Sequence, residues 1–506
     1  MAGSLIPPLR PTVRLTLLPP GDGPVAVLVD EELGQRLELD PPGLNLARRL
    51  TVAQPFDPIA RELDGGAPEL ARRVAQLVRH ALLDTPEARR GVEQARITAS
   101  WDTRPVAEIP LLVRPEARFS CIACGSCCGC QSIGPVSDEV LQATWAHRTL
   151  LPPEVAGDQG LFCAVSDPQR PDRPARVICQ LRDGFCVFLA ADGLCELHRR
   201  WGPEAKPACC NTFPFLFVAT PRGVAVSLQL ECRSHDRSRQ GTPVTEQVDL
   251  LRALLPGIPR LRRVPPVLFL DAVRGCTWEE YEALEERLHQ EVAGPGDDLA
   301  ILLGLHAALE ARRDVDRVPP TAPGDRAGLR QDLDRLVAEL LAGLSRLADR
   351  FQPLGERTEV HTESLELLAG ALRNLRAGMR RLATPLPPGE LGELARDFFH
   401  NRLMAKRLTD APTLVHGLGR LAFSWLLVRA LLWQRIRQVK RRHPLPQDLV
   451  DSMVIVAFLL HDRDFVAELA RHDALLVSLF HDRLPALLQL APELPDAQTK
   501  AQIYKF

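Results

Sequence analysis

The 506-residue sequence carries almost no net charge: 62 lysines and arginines against 64 aspartates and glutamates leave −2. So balanced a chain exerts no global pull on a phosphate backbone. It also lacks any block of basic residues interleaved with aromatics, so nucleic acid is not an expected partner. Long hydrophobic runs are missing too. The most apolar, Leu421 to Val428 and Met453 to Leu460, fall short of the roughly 20 residues a spanning helix requires, and no membrane crossing is expected. Prolines interrupt the opening "MAGSLIPPLRPTVRLTLLPP" where a signal peptide needs a continuous apolar core, so the expected location is cytoplasmic. There is no repeat of fixed period, and no glycine-rich loop follows a clear strand. The C-x3-C-x2-C spacing that leaves one iron open to S-adenosylmethionine is absent as well: Cys124 and Cys128 fit its first step, but position 131 is Gln131.

What is present is an ordinary globular composition, 45% hydrophobic and 25% charged, in a chain long enough for two or three domains. The expected class is α+β, in three regions. Residues 1–99 begin with Val13, Leu15 and Leu17 on one strand face, a Gly/Pro turn and a second strand, "VAVLV". Asp57 then reads as an N-cap with Pro58 at the first helical position, and Leu70, Val74, Leu77 and Ala81 recur at helical spacing. Strands followed by short helices describe a small winged-helix-like domain. Residues 100–265 hold twelve of the thirteen cysteines, all but Cys276, in proline- and glycine-rich segments without long periodicity. Such a segment is expected to bury little apolar surface by itself, which makes bound metal a source of its order. Residues 266–506 read as an all-α bundle. Leu329, Leu333, Leu336, Leu340, Leu344 and Leu347 form one stripe, and Leu414, Leu418, Leu421, Trp425, Val428 and Leu432 another. The proline-rich 312–325 is expected to be a loop between helices, and the glycines of "HGLGRLA" (416–422) to be packing positions.

Within "FSCIACGSCCGC" the cysteines Cys121, Cys124 and Cys127 stand at successive C-x2-C spacings. Two intervening residues let neighbouring sulfurs converge. Three in a row wrap the chain around something larger than one ion, as at the start of the bacterial ferredoxin run. Cys128 follows directly instead of the ferredoxin C-P. Side chains of adjacent residues diverge, so Cys127 and Cys128 are expected to serve different partners, or different irons of one assembly. Further on come Cys186, Cys195, Cys209, Cys210 and Cys232.

Together these segments resemble the YkgJ-type CxxCxxCC family, described as a zinc- or iron-chelating domain, which includes the flagellin lysine N-methylases. The family's C-x2-C-x2-C-C falls on Cys121, Cys124, Cys127 and Cys128, and its C-x-F-L on Cys186, Phe188 and Leu189. Its G-x-C-x-[IL]-[HY] falls on Gly193, Cys195, Leu197 and His198, and its P-x-x-C-x-x-[FY]-P on Pro207, Cys210, Phe213 and Pro214. Cys232 occupies the place of a late cysteine. Asn211 stands where family members usually carry arginine. The N-terminal strand order and the "LVDEELGQRLELD" turn resemble the PqqD-like fold, whose families bind leader peptides beside metal enzymes.

Eight family-position thiols, Cys121, Cys124, Cys127, Cys128, Cys186, Cys195, Cys210 and Cys232, are thus the expected metal ligands. A structural zinc site takes four ligands, commonly from two C-x2-C knuckles. The second half of the set has no knuckle, which favours an iron-sulfur cluster of 4Fe-4S type, with zinc as the alternative and metal-free thiol chemistry as a third reading. The resemblance further implies S-adenosylmethionine as methyl donor and a protein or peptide lysine as acceptor. A non-catalytic metal-stapled interaction protein and an electron-transfer protein remain the alternatives. The additional Cys130, Cys163, Cys179 and Cys209 read as small buried hydrophobes. His198 reads as packing or hydrogen bonding, and His461, His472 and His481, each followed by aspartate, as surface or helix-end residues.

Overall fold

In the computed structural model the described residues are 5–19, 24–30, 35–129, 133–134, 136–156, 160–165, 176–179, 181–182, 185–258, 261–272, 274–313, 326–351, 366–373, 375, 384–460 and 463–489. The class is mixed α+β with a helical C-terminal region. Contacts divide the chain into two compact units. One comprises 1–229, 240–281 and 404–413, the other 230–239, 282–403 and 414–506.

The first unit opens with an antiparallel meander of β1 (Val13–Leu17), β2 (Ala26–Asp30) and β3 (Gln35–Leu39), in register Leu15↔Leu28↔Leu37. The strand face read from Val13, Leu15 and Leu17 is only partly covered, with Leu17 at 58% exposure. Helices α1 (Phe56–Glu62) and α2 (Gly66–Arg79) pack together beside the meander, and α2 sends Leu70, Val74 and Leu77 into one core with Leu28, Leu37 and Leu39. Asp57 is not the cap of α1. The helix begins one residue earlier, behind the extended Pro55, so Asp57 sits in the first turn, where its charge still meets the exposed N–H groups. Ala81 lies past the end of α2 with φ +53°.

Downstream, β4 (Phe162–Val165) pairs with β5 (Arg176–Cys179), followed by α3 (Glu196–Trp201) and α4 (Ala208–Thr212). The hairpin β6 (Phe215–Thr220) and β7 (Gly223–Leu228) forms the centre of a four-stranded sheet, flanked by Arg262–Arg263 and Leu111–Leu112. Every residue of β7, and all but one of β6, is buried. The cysteine-rich region therefore does bury apolar surface of its own, contrary to the reading from its irregular composition.

The second unit is helical. Its elements include α5 (Asp298–Glu310), α6 (Arg326–Phe351), α7 (Leu414–Gln438), α8 (Pro446–Leu459), α9 (Arg463–Arg471) and α10 (Asp473–Val477). The first leucine stripe is the buried face of α6 from Leu329 through Leu344, and the second lies on α7; the side chain of Leu347 is outside the described residues. Packing of α7 against α5, α8 and α10 buries it on all sides, and a Cβ added at its Gly419 would meet Leu476 and Val477 only at ordinary contact distance. The run Leu421 to Val428 is thus part of a 25-residue helix long and apolar enough to cross a membrane; 89% of its most apolar window is buried within the protein. Residues 314–325 of the proline-rich loop lie outside the described set.

Candidate metal centre

The first four cysteines ride on a loop held at its base by Phe119. Its N–H donates to Thr242 O at 2.9 Å, and its ring meets Phe215 edge-on at 5.8 Å. The N–H of Thr242 in turn donates to Ser120 Oγ at 3.0 Å. The loop then turns through two left-handed residues, Ala123 at φ +52° and Gly125 at φ +69°. There it locks onto the turn between Cys186 and Cys195. A Cβ on Gly193 (φ +82°) would stand 2.6 Å from Ala123 O, and one on Gly125 would stand 2.9 Å from Leu189 Cδ1. Two segments far apart in sequence thus meet backbone to backbone, closely enough that side chains are excluded from the seam. Gly129 extends the contact by bridging to Phe185.

This interlock turns half of the quartet inward. Cys128, Cys179, Cys186, Cys195, Cys209 and Cys210 share one apolar cluster with Leu161, Phe188 and Leu197. Cys127 joins them through a hydrogen bond to Cys128. The other half faces water: Cys121 and Cys124 are exposed, and the Cys121 sulfur accepts the Ala123 N–H at 3.4 Å. Of the eight expected ligands, five therefore gather: Cys127, Cys128, Cys186, Cys195 and Cys210. Cys232 is buried in the segment Leu230–Arg239, which belongs to the other unit.

Two members of the group are absent from the expected set. Cys179 leaves the end of β5, where its N–H donates to Ile133 O at 2.9 Å, and its thiol bonds Cys186. Cys209 stands next to Cys210 on α4 and bonds it. Their reading as plain hydrophobes misses these thiol contacts. The one signal available was the doublet Cys209–Cys210, which repeats Cys127–Cys128. The expectation that adjacent cysteines diverge also fails, because in both doublets the helical turn leaves the two thiols in contact. Cys163 pairs across the strands with Ile178, Cys276 lies on a short hairpin, and Cys130 is outside the described residues. His198 is exposed on α3, so it is not a packing residue.

The electrostatics separate the thiols into three hydrogen-bonded pairs. In each, one sulfur accepts and is held low while its donor is driven up. The Cys128 hydrogen bond, opposed by burial and helped by Lys206, brings Cys127 down to about 7. Cys179 likewise lowers Cys186, and Cys210 lowers Cys209, whereas Cys128, Cys179 and Cys210 are pushed up by donating and by burial. Burial also raises Cys195. A thiol held low reaches its thiolate, the ligand and nucleophile, at a lower pH than an ordinary cysteine does. In metal-free protein carrying Cys121→Ser and Cys124→Ser, alkylation of Cys127 should rise through about pH 7, two units below its ordinary value of 9.0. Fragment mass spectrometry of the labelled peptide checks this, and a rate that climbs only from pH 9 would contradict it.

Four thiolates about 2.3 Å from a single zinc ion stand about 3.8 Å apart. Among the described residues no three cysteine sulfurs lie within 4.8 Å of one another. As they stand, the described cysteines do not form a closed four-thiolate zinc site. Comparisons of the chain with family models, with curated proteins and with solved structures found no match.

Proposed function

We propose that this chain binds an iron-sulfur cluster of the 4Fe-4S type in the basin formed by Cys127, Cys128, Cys179, Cys186, Cys195, Cys209 and Cys210. The observation that carries the reading is the gathering of these seven thiols, from four stretches of chain, around one apolar cluster. Cys127, Cys186 and Cys209 are the first to ionise and so the first to ligate, while the exposed Cys121 and Cys124 sit at the mouth on the same loop. Lys206, whose charge favours the thiolates of both Cys127 and Cys195, offsets the negative charge that assembles there. When bound, such a cluster supplies electron transfer or, at an iron without a protein ligand, a Lewis acid. The family resemblance assigns that iron to S-adenosylmethionine and the activity to lysine N-methylation of a protein. The separate resemblance of the N-terminal meander and helices to the PqqD-like fold gives that region the role of holding a peptide.

Anaerobic purification followed by iron, zinc and acid-labile sulfide analysis tests the proposal. Iron and sulfide are expected in equal amounts in the wild type and should fall together, to background, in Cys186→Ser and in Cys210→Ser. Stoichiometric zinc without sulfide would overturn it. S-adenosylmethionine added to the loaded protein should alter the paramagnetic resonance of the reduced cluster. An unaltered spectrum assigns the cluster to electron transfer or to stapling the fold.

A further inference from the structure

Far along the sequence from the cysteines, the helical unit holds a second set of ligand-type groups. His306 and Glu310 stand four residues apart on α5, and so on one face of it. His481 comes from the π-helical turn Ser478–Asp482, where the chain widens by one residue per turn. One ligand atom from each of the three lies within 4.8 Å of the others. The Nε2 of His481 meets Glu310 Oε1 at 2.8 Å, and the rings of His306 and His481 are 5.0 Å apart. We propose that His306, Glu310 and His481 bind a divalent first-row transition metal.

Three features argue for it. Two histidines and one carboxylate are the donor set of zinc hydrolases and of non-haem iron centres, and it leaves coordination positions open. Ligands about 2.1 Å from a metal stand about 3.0–3.4 Å apart at cis-octahedral or tetrahedral angles; Glu310 and His481 are already that close, and the triad as a whole, within 4.8 Å, must close by no more than about 1.8 Å. His481 is fully buried, and its Nδ1 has no hydrogen-bond partner. Contacts of its Nε2 with Glu310 Oε1 and, at 3.4 Å, with Arg313 Nη1 leave the other ring nitrogen of this buried imidazole unused. π-Helical turns are rare and concentrate where a side chain must be aimed, which is how His481 reaches α5.

Arg313 opposes a cation. It donates to Glu310 Oε1 at 2.6 Å and lies 3.5 Å from Asp482 Oδ1. Asp482 offers the guanidinium a place when the metal takes Glu310.

Cobalt(II) titration of the full-length, chelator-treated protein tests the site, because cobalt bound to thiolate shows an intense charge-transfer band that cobalt on nitrogen and oxygen lacks. The wild type should bind one equivalent outside that band. In His306→Ala and in Glu310→Gln this equivalent should weaken by at least about 100-fold, more than loss of an outer-shell group costs, with the sulfur band unchanged. Arg313→Ala should tighten the same equivalent, a gain that misfolding cannot produce. Weakening by less than tenfold in either ligand variant, or no tightening in Arg313→Ala, overturns the proposal whatever the cysteine basin holds.

Discussion

Asp298→Ala should cost the helical unit about 3–5 kcal/mol in denaturant unfolding, because it strands a buried arginine. Arg429 and Asp298 are both fully buried and form an ion pair between α7 and α5. The carboxylate is saturated by its neighbours: Arg429 and Trp425 Nε1, the latter at 2.9 Å, donate to Oδ2, and Leu386 N–H donates to Oδ1 at 2.9 Å. Arg429 also donates to Thr384 O. One carboxylate thus ties α5, α7 and the chain at 384–386 to a single point. Removing both charges, as Asp298→Leu with Arg429→Met, should recover part of the loss and not all. The double variant no longer buries a lone charge, yet the indole N–H, the Leu386 N–H and the Thr384 carbonyl still lose their partners, which limits the recovery. A single variant within 1 kcal/mol of wild type would show that water or a side-chain shift reaches Arg429.

Gly193→Val should cost the cysteine basin its proposed cluster without touching a thiol. A valine there must hold φ near +82° and bring its Cβ within 2.6 Å of the Ala123 carbonyl, and neither side of that clash is a side chain that can swing aside. The left-handed conformation alone costs about 1–2 kcal/mol; the clash moves the loop that carries Cys127 and Cys128. Iron and sulfide should fall to background while a thiol assay under denaturing conditions still counts all thirteen cysteines. Gly389→Val is the control. Its φ of +89° imposes similar strain, but nothing lies within 4 Å of its Cβ position, so iron should be retained. Wild-type iron in Gly193→Val would mean that the seam is not what gathers the sulfurs.

Helical periodicity made α2, α6 and α7 legible, because leucines at every third or fourth position have one face to bury. The cysteine loop was legible for a similar reason: its spacing is local and chemically unusual. The hairpin of β6 and β7 was not, since "FLFVAT" and "GVAVSL" are buried on both faces and lack the alternation that marks a half-exposed strand. Cys179 escaped because its partner Cys186 is set by a tertiary fold-back and by no fixed motif interval. His481 escaped most completely. Its contact with Glu310 spans 171 residues, so nothing near "FHDRLP" announces it, and a His-Asp dipeptide at a helix end looks like surface. His472 does end a helix, beside Glu339 and Glu468, whereas His461 lies outside the described residues.

The composition of α7 also bears on synthesis. As it leaves the ribosome, before α8 and α10, which follow it in the chain, can cover it, this segment offers the targeting machinery an apolar stretch of the right span. Arg429 stands past its midpoint, and an arginine at the centre of a would-be spanning helix costs about 2.5–3.5 kcal/mol to insert. The residue that later anchors Asp298 therefore also biases the newborn chain away from the translocon's lateral gate.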